Sequence, residues 1–223
     1  MRKKEIFDFD KIDILEIENN LHKEGCKYIA CIDEVGRGCL AGNVVTCAII
    51  IPAGLKIEGV NDSKKLTEKK REKLYSIILE NCIAYGIGEL DHIVIDDINI
   101  KNATKKAMLM AIDNLKDKDG NKIIPDHLCI DAEHLDTDIP QTSLIKGDAR
   151  CHGIAAASII AKVTRDRDIV KMAEIYPGYD FEHNKGYGTK KHREALLKIG
   201  PCPIHRKTYL KKILGNEQMK ITL

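Results

Sequence analysis

Asp33-Glu34-Val35-Gly36-Arg37-Gly38 sets two adjacent carboxylates beside a glycine-flanked arginine. Neighbouring acids repel one another and are costly to desolvate, so a bound cation would make such a site easier to form. Glycines let the backbone come close to a ligand, and a guanidinium can grip a phosphate. Asp131 and Asp148 share this setting. Asp131 ends the apolar run Leu128-Cys129-Ile130, and Asp148 follows Ile145-Lys146-Gly147. Hard cations such as Mg²⁺ bind carboxylate oxygens and keep positions open for phosphate. A pair of them can drive phosphodiester cleavage. An isolated Asp after a strand is most often a turn or capping residue, so no single acid decides the chemistry.

The elements that must position these acids are legible in outline. Apolar runs predict strands at 28–33 and 43–51, joined by the glycine-rich turn, and a third strand at 82–91. If strands 28–33 and 127–131 are neighbours, Asp33 and Asp131 emerge at one sheet edge. A further short strand is expected near Ser143-Leu144-Ile145. Thr67 is a suitable N-cap for a helix over 67–81. Asp96-Asp97 would cap a helix running to Leu115, and Gly153 to Ala173 reads as a long helix. The first half of that helix is small and apolar on nearly all sides, so it should be buried. Residues 1–27 carry a weak helical pattern at Ile12, Leu15, Ile17 and Leu21, and short helices are expected near 189–199 and 205–213. The order is a mixed α/β layer with a helical C-terminal part.

The 223 residues carry 36 Lys/Arg against 34 Asp/Glu, an almost balanced charge. Its distribution is uneven. From His183 to Lys212 there are nine Lys/Arg and one acid, Glu194. Basic runs are usually solvated faces. Beside a metal-type acidic site they favour a polyanionic partner. No apolar run approaches the roughly 20 residues of a membrane span. The basic start is not followed by the apolar core of a secretion signal. The eight cysteines form no C-x-x-C pair, and several lie in apolar runs. That pattern suits a reduced, cytoplasmic protein better than a disulfide framework or a zinc site.

An ordered set of motifs then resembles the type 2 ribonucleases H, the ribonuclease HII family. It comprises D-E-V-G-R-G at 33–38 with Leu40-Ala41-Gly42, Asp62-Ser63-Lys64-Lys65-Leu66, Ile98-Asn99-Ile100, Ile130-Asp131 and Lys146-Gly147-Asp148. Ile154 to Ile159 running into Ala161-Lys162-Val163-Thr164-Arg165-Asp166-Arg167, Lys185-Gly186-Tyr187-Gly188-Thr189 with His192, and His205-Arg206 complete it. The resemblance implies a ribonuclease H-like α/β fold: a mixed five-stranded sheet flanked by helices, with a C-terminal helical region. It divides the chain into an N-terminal helical extension (1–27), a catalytic domain (28–182) and a basic helical region (183–223).

The same resemblance implies hydrolysis of the RNA strand in RNA–DNA hybrids, and incision 5′ to single ribonucleotides in duplex DNA, leaving 3′-hydroxyl and 5′-phosphate ends. Mn²⁺ or Mg²⁺ would be held by Asp33, Glu34, Asp131 and Asp148. Gly36, Arg37 and Gly38 would read the 2′-hydroxyl, Lys64 and Lys65 would hold phosphates, and Tyr187 would pack on the next deoxyribose. The protein is expected to act as a monomer with no membrane partner. Cys39, Asn43 and Ala132 depart from residues common in the family, which leaves loop rigidity open.

Other polar residues read as ordinary surface. Glu133 and His134 fit a solvated loop, and Asp136 and Asp138 fit turns. Asp166 and Asp168 fit surface pairing with Arg165 and Arg167. His183, His192 and His205 fit phosphate contacts or caps better than proton shuttles. Two other functions compete. A binding module without cleavage is disfavoured by the complete acid set. A small-molecule phosphotransferase should carry G-x-x-x-x-G-K-[ST], which is absent from the sequence.

Overall fold

A computed structural model describes the backbone of residues 13–221 and the side chains of residues 13–215. Ile12 and the basic start lie outside the described residues. Five strands form one sheet: β1 (Ile29–Val35), β2 (Val44–Ile50), β3 (Ala84–Leu90), β4 (His127–Asp131) and β5 (Gln141–Leu144), in the order β3-β2-β1-β4-β5. β1, β2 and β3 form an antiparallel meander. β4 lies parallel to β1, and β5 parallel to β4. The sheet is therefore mixed, as expected.

Alternation along the strands divides the core between two faces. Ile29, Cys31, Cys47, Ile49 and Cys129 point to one face. There they meet α4 (His152–Ile175), α2 (Glu68–Asn81) and the partly buried Ile17 and Leu21 of α1 (Glu16–Lys23). Ala30, Ile32, Ala48, Ile50, Leu128 and Ile130 point to the other face, against Met108, Ala111, Ile112 and Leu115. The small residues Ala155 to Ala157 and Ala161 let α4 lie close to the sheet, and every residue from His152 to Ala161 is buried.

The helix expected from Asp96 begins earlier. α3 spans His92–Asp113, and its N-cap is Asp91, whose carboxylate accepts from the Val94 amide at 3.0 Å. Asn99 interrupts it in a left-handed conformation (φ 64°) and caps the second segment through the amides of Lys101 and Asn102. Asp96 serves a different helix. Its carboxylate accepts from the Lys207 and Thr208 amides at 2.7 and 3.0 Å, at the start of α7 (Lys207–Ile221).

After α4 the chain makes α5 (Phe181–Asn184), α6 (Lys190–Ile199) and α7. Tyr179, Phe181, Leu196, Leu210 and Leu214 pack together with Leu40, Ala41 and Ile169. This C-terminal region therefore seats on the segment that follows β1. No described helix is long and apolar enough to cross a membrane.

Candidate active site

The parallel register aligns Ile32 with Ile130, so the next residues, Asp33 and Asp131, leave adjacent strands side by side. Asp148 sits in a 3-10 turn, Gly147–Ala149, just ahead of α4. That turn is anchored to Asp131, whose Oδ1 accepts from the Gly147 amide at 2.7 Å. Asp33 accepts from the Glu34 amide at 2.7 Å. Three acids far apart in sequence are thereby brought to one place, with Glu34 adjoining.

Burial raises all four carboxyls above their ordinary values. For Asp33 the largest cause is loss of solvent, followed by the charges of Glu34, Asp131 and Asp148. Burial also leads for Glu34, where the Arg37 guanidinium opposes it. Asp131 is raised by burial and moderated by the Gly147 amide. Asp148 is raised by burial and by Asp62, against the nearby Lys64. The buried Glu34 Oε2 has no hydrogen-bond partner. A buried, mutually repelling, oxygen-only donor set with an orphaned oxygen fits a hard divalent cation.

The Gly36-Arg37-Gly38 loop is held from behind. Gly36 takes φ +93°, and a Cβ there would lie 2.3 Å from Arg165 Nε and 2.8 Å from the Asn43 carbonyl. Only glycine fits. Arg165, expected on the surface, is buried, and its guanidinium donates to the carbonyls of Asn43, Lys185 and Ala41 at 2.8–2.9 Å. Arg206 is also fully buried. It donates to the Gly42 carbonyl at 3.1 and 2.8 Å and to the Arg37 carbonyl at 2.9 Å. The Tyr209 hydroxyl donates to that same Arg37 carbonyl at 3.0 Å. Two arginines counted by sequence as surface charge thus set the shape of the loop.

The Arg37 side chain binds Glu34 at 3.2 Å and Glu133 at 3.0 Å. Glu133 is buried, not in a solvated loop, because this ion pair draws it inward. Asp166 is likewise buried and pairs with Lys162 at 2.8 Å. Asp168 does pair on the surface, with Lys171.

The lysines stand where a polyanion can reach them. Asp62 caps the Ser63–Lys65 turn through the Lys64 amide, and Ser63 is pinned to Ser158 of α4 by a 2.7 Å hydroxyl pair. Lys64 and Lys65 are exposed. Lys64 Nζ lies 3.7 Å from Asp148 Oδ2. A groove lined by Asp62, Lys64, Lys65, Asp131, Lys146 and Asp148 opens here.

Tyr187 is 37% exposed. Its backbone bridges to Cys39, tying it to the glycine loop. Burial pushes its hydroxyl up to about 12. His192 and His205 are buried, with Nε2 atoms 2.9 Å apart, against Phe181 and Tyr179. They are packing residues, not phosphate contacts. His183 is exposed and pairs with Asp180 at 2.7 Å.

A family profile described as "Ribonuclease HII" matches residues 30–212. The chain belongs to the ribonuclease HII family. A ribonuclease HII from Alkaliphilus oremlandii is 56% identical over 200 residues, covering 90% of this chain and 98% of the relative. The ribonuclease H2 structure from Pyrococcus horikoshii OT3 superposes with a TM-score of 0.70 at 28% identity, covering 87% of this chain and 99% of that one. A Bst ribonuclease HIII crystallised with Mn²⁺ shares the fold, with a TM-score of 0.57 at 17% identity, covering 89% of this chain and 66% of that one. As a ribonuclease HII the chain is a metal-dependent endoribonuclease acting on RNA–DNA hybrids.

Proposed function

We propose that the enzyme incises 5′ to single ribonucleotides embedded in duplex DNA, as well as cutting hybrids, and serves ribonucleotide removal from DNA. The observation that carries this reading is the junction of two devices. The four-acid cluster adjoins, through Glu34, a glycine loop that buried arginines hold rigid and to which Tyr187 is tied.

Asp33, Glu34, Asp131 and Asp148 would hold two divalent cations, Mn²⁺ or Mg²⁺. Such ions, when bound, activate the attacking water and stabilise the leaving oxygen. The chain's own groups select and place the substrate. Backbone groups of Gly36, Arg37 and Gly38 face a ribose 2′-hydroxyl, the group that separates RNA from DNA. The Arg37 guanidinium, held between Glu34 and Glu133, keeps one geometry while it does so. Tyr187 packs on the deoxyribose that follows. Lys64 and Lys65 bind phosphates and make binding salt-dependent. All four acids come from one chain, so the site is complete in a monomer. The Mn²⁺ complex of the ribonuclease HIII relative supports the choice of ion class.

The test is cleavage of a DNA duplex carrying one ribonucleotide, in Mg²⁺, in Mn²⁺ and in EDTA. The expected result is a single metal-dependent cut 5′ to the ribonucleotide, leaving a 3′-hydroxyl. Hybrid cutting without that incision would confine the enzyme to hybrids.

A further inference from the structure

Three buried thiols and a carboxylate meet on the face of the sheet that packs against α4. Cys31 and Cys129 are register partners on the parallel strands β1 and β4. Cys151 is the N-cap of α4, and Glu18 comes from α1. The three sulfurs lie within 4.8 Å of one another, and all three cysteines are buried. Cys31 Sγ is 3.8 Å from Cys151 Sγ, and Cys151 Sγ is 3.5 Å from Glu18 Oε2.

The Cys31–Cys151 and Cys151–Glu18 separations match two edges of a zinc tetrahedron; Cys31 faces the other Glu18 oxygen, Oε1, at 3.8 Å, so the carboxylate would turn to present one oxygen to an ion held by the three sulfurs. With Zn–S near 2.3 Å and Zn–O near 2.0 Å, a tetrahedral sulfur–sulfur edge is about 3.8 Å and a sulfur–oxygen edge about 3.5 Å. We propose that Cys31, Cys129, Cys151 and Glu18 form a structural site for one Zn²⁺ ion. Binding would form three Zn–S bonds and one Zn–O bond and release to solvent the thiol protons and the proton that burial keeps on the Glu18 carboxyl.

Contact with Cys129 holds the Cys31 and Cys151 thiols above their ordinary values, and burial pushes the Glu18 carboxyl up to about 8, so an ion here would take the place of those protons. Glu18 Oε2 also accepts from the Gly153 amide at 3.1 Å, which orients the carboxylate. The site adjoins the N-terminal end of the 24-residue α4, where the helix dipole favours negative charge. Room for the cluster depends on Gly153, where a Cβ would lie 2.4 Å from Cys31 Sγ. Sequence spacing conceals such a site because its four donors come from four separate elements.

Such an ion would fasten four elements at one point. Cys31 and Cys129 each precede an active-site acid by two residues on the same strand, and Cys151 follows Asp148 by three. A zinc ion here would brace the strand pair and the turn that carry Asp33, Asp131 and Asp148, and lock α1 onto them.

The full-length chain, reduced and stripped with EDTA, is reloaded with Zn²⁺ or Co²⁺, desalted and assayed by elemental analysis and visible absorption. One Zn²⁺ per chain is expected, with a higher melting temperature. Co²⁺ should give the bands of a tetrahedral thiolate complex, with intense sulfur-to-cobalt charge transfer. The spectrum is read on the unmutated chain, so no variant has to fold. Cys129→Ser should lose the retained ion, while Asp131→Asn, which disrupts the acidic site, should keep it. Packing of free thiols alone predicts no cobalt–thiolate band, and that result would overturn the proposal. So would a band that survives in folded Cys129→Ser, or a reduced chain that retains no Zn²⁺ after desalting.

Discussion

The Arg37 guanidinium and the Glu133 carboxylate lie 3.0 Å apart across 96 positions of sequence. Glu133 thereby shares with Glu34 the task of orienting the arginine of the glycine loop. Glu133→Gln keeps the shape and removes the charge. Cleavage of a single-ribonucleotide duplex should fall about tenfold, or about 1.4 kcal/mol of transition-state stabilisation. Hydrogen bonds to charged groups are worth about 1.5–3 kcal/mol, so a modest fall in melting temperature should accompany it. An unchanged kcat/KM would remove Glu133 from substrate positioning.

Asp33→Asn and Asp131→Asn should each reduce cleavage by at least about a thousandfold, some 4 kcal/mol in the barrier. An amide replaces an anionic cation ligand poorly. The metal-free Asp33→Asn protein should nevertheless be more stable than wild type at neutral pH. The raised Asp33 carboxyl binds its proton more tightly folded than unfolded, so its contribution falls as pH rises above the ordinary carboxylate range. Denaturation in EDTA at pH 7 and at pH 4 checks this, with the gap narrowing at the lower pH.

Tyr187→Ala should weaken incision at a single ribonucleotide more than cutting of a long hybrid. In a hybrid many registers are cleavable, and no one RNA–DNA junction need be gripped. Paired kcat/KM measurements on the two substrates decide. Equal losses would count against a junction role.

Arg165→Lys keeps the charge but not the fork that bonds three carbonyls. Losing part of that network in a buried setting should cost about 2–4 kcal/mol of stability. Urea unfolding measures it. A loss below about 0.5 kcal/mol would mean that the Gly36 loop is held by other contacts.

Burial, with the neighbouring His192, holds His205 down at about 4. Below an ordinary histidine value near 6.5 the unfolded chain takes up a proton that the folded chain refuses. Stability from the neutral histidine is therefore complete above pH 6.5 and is lost progressively as pH falls to about 4. The stability gap between wild type and His205→Gln should shrink across that window, by on the order of 3 kcal/mol. A gap that is flat with pH would show that the histidine pair already titrates normally in the fold.

The strands and the acids were readable because both leave local marks. Apolar runs show β1, β2 and β4, and an Asp at the end of an apolar run shows Asp33 and Asp131. What escaped were polar groups whose partners are remote. Arg165 and Arg206 resemble surface charge until the carbonyls of residues 37–43 are seen to need donors. Glu133 resembles loop until Arg37 is beside it. Asp96 reads as a cap for its own helix, and caps α7 because the C-terminal region folds back across it. Residue type records that a group must be satisfied, and only the tertiary path records by what.

The parallel pairing of β1 with β4 bears on how the enzyme comes into being. β1 meets β2 and then β3 through nearby segments, whereas β4 must arrive after α2, β3 and α3 have been made. Loop closure makes such distant pairing the later event. Asp131 thus joins Asp33 only when the sheet is nearly complete, and Asp148 follows. A nascent or partly refolded chain therefore lacks the assembled acid cluster, so nuclease competence should appear only when folding is nearly finished.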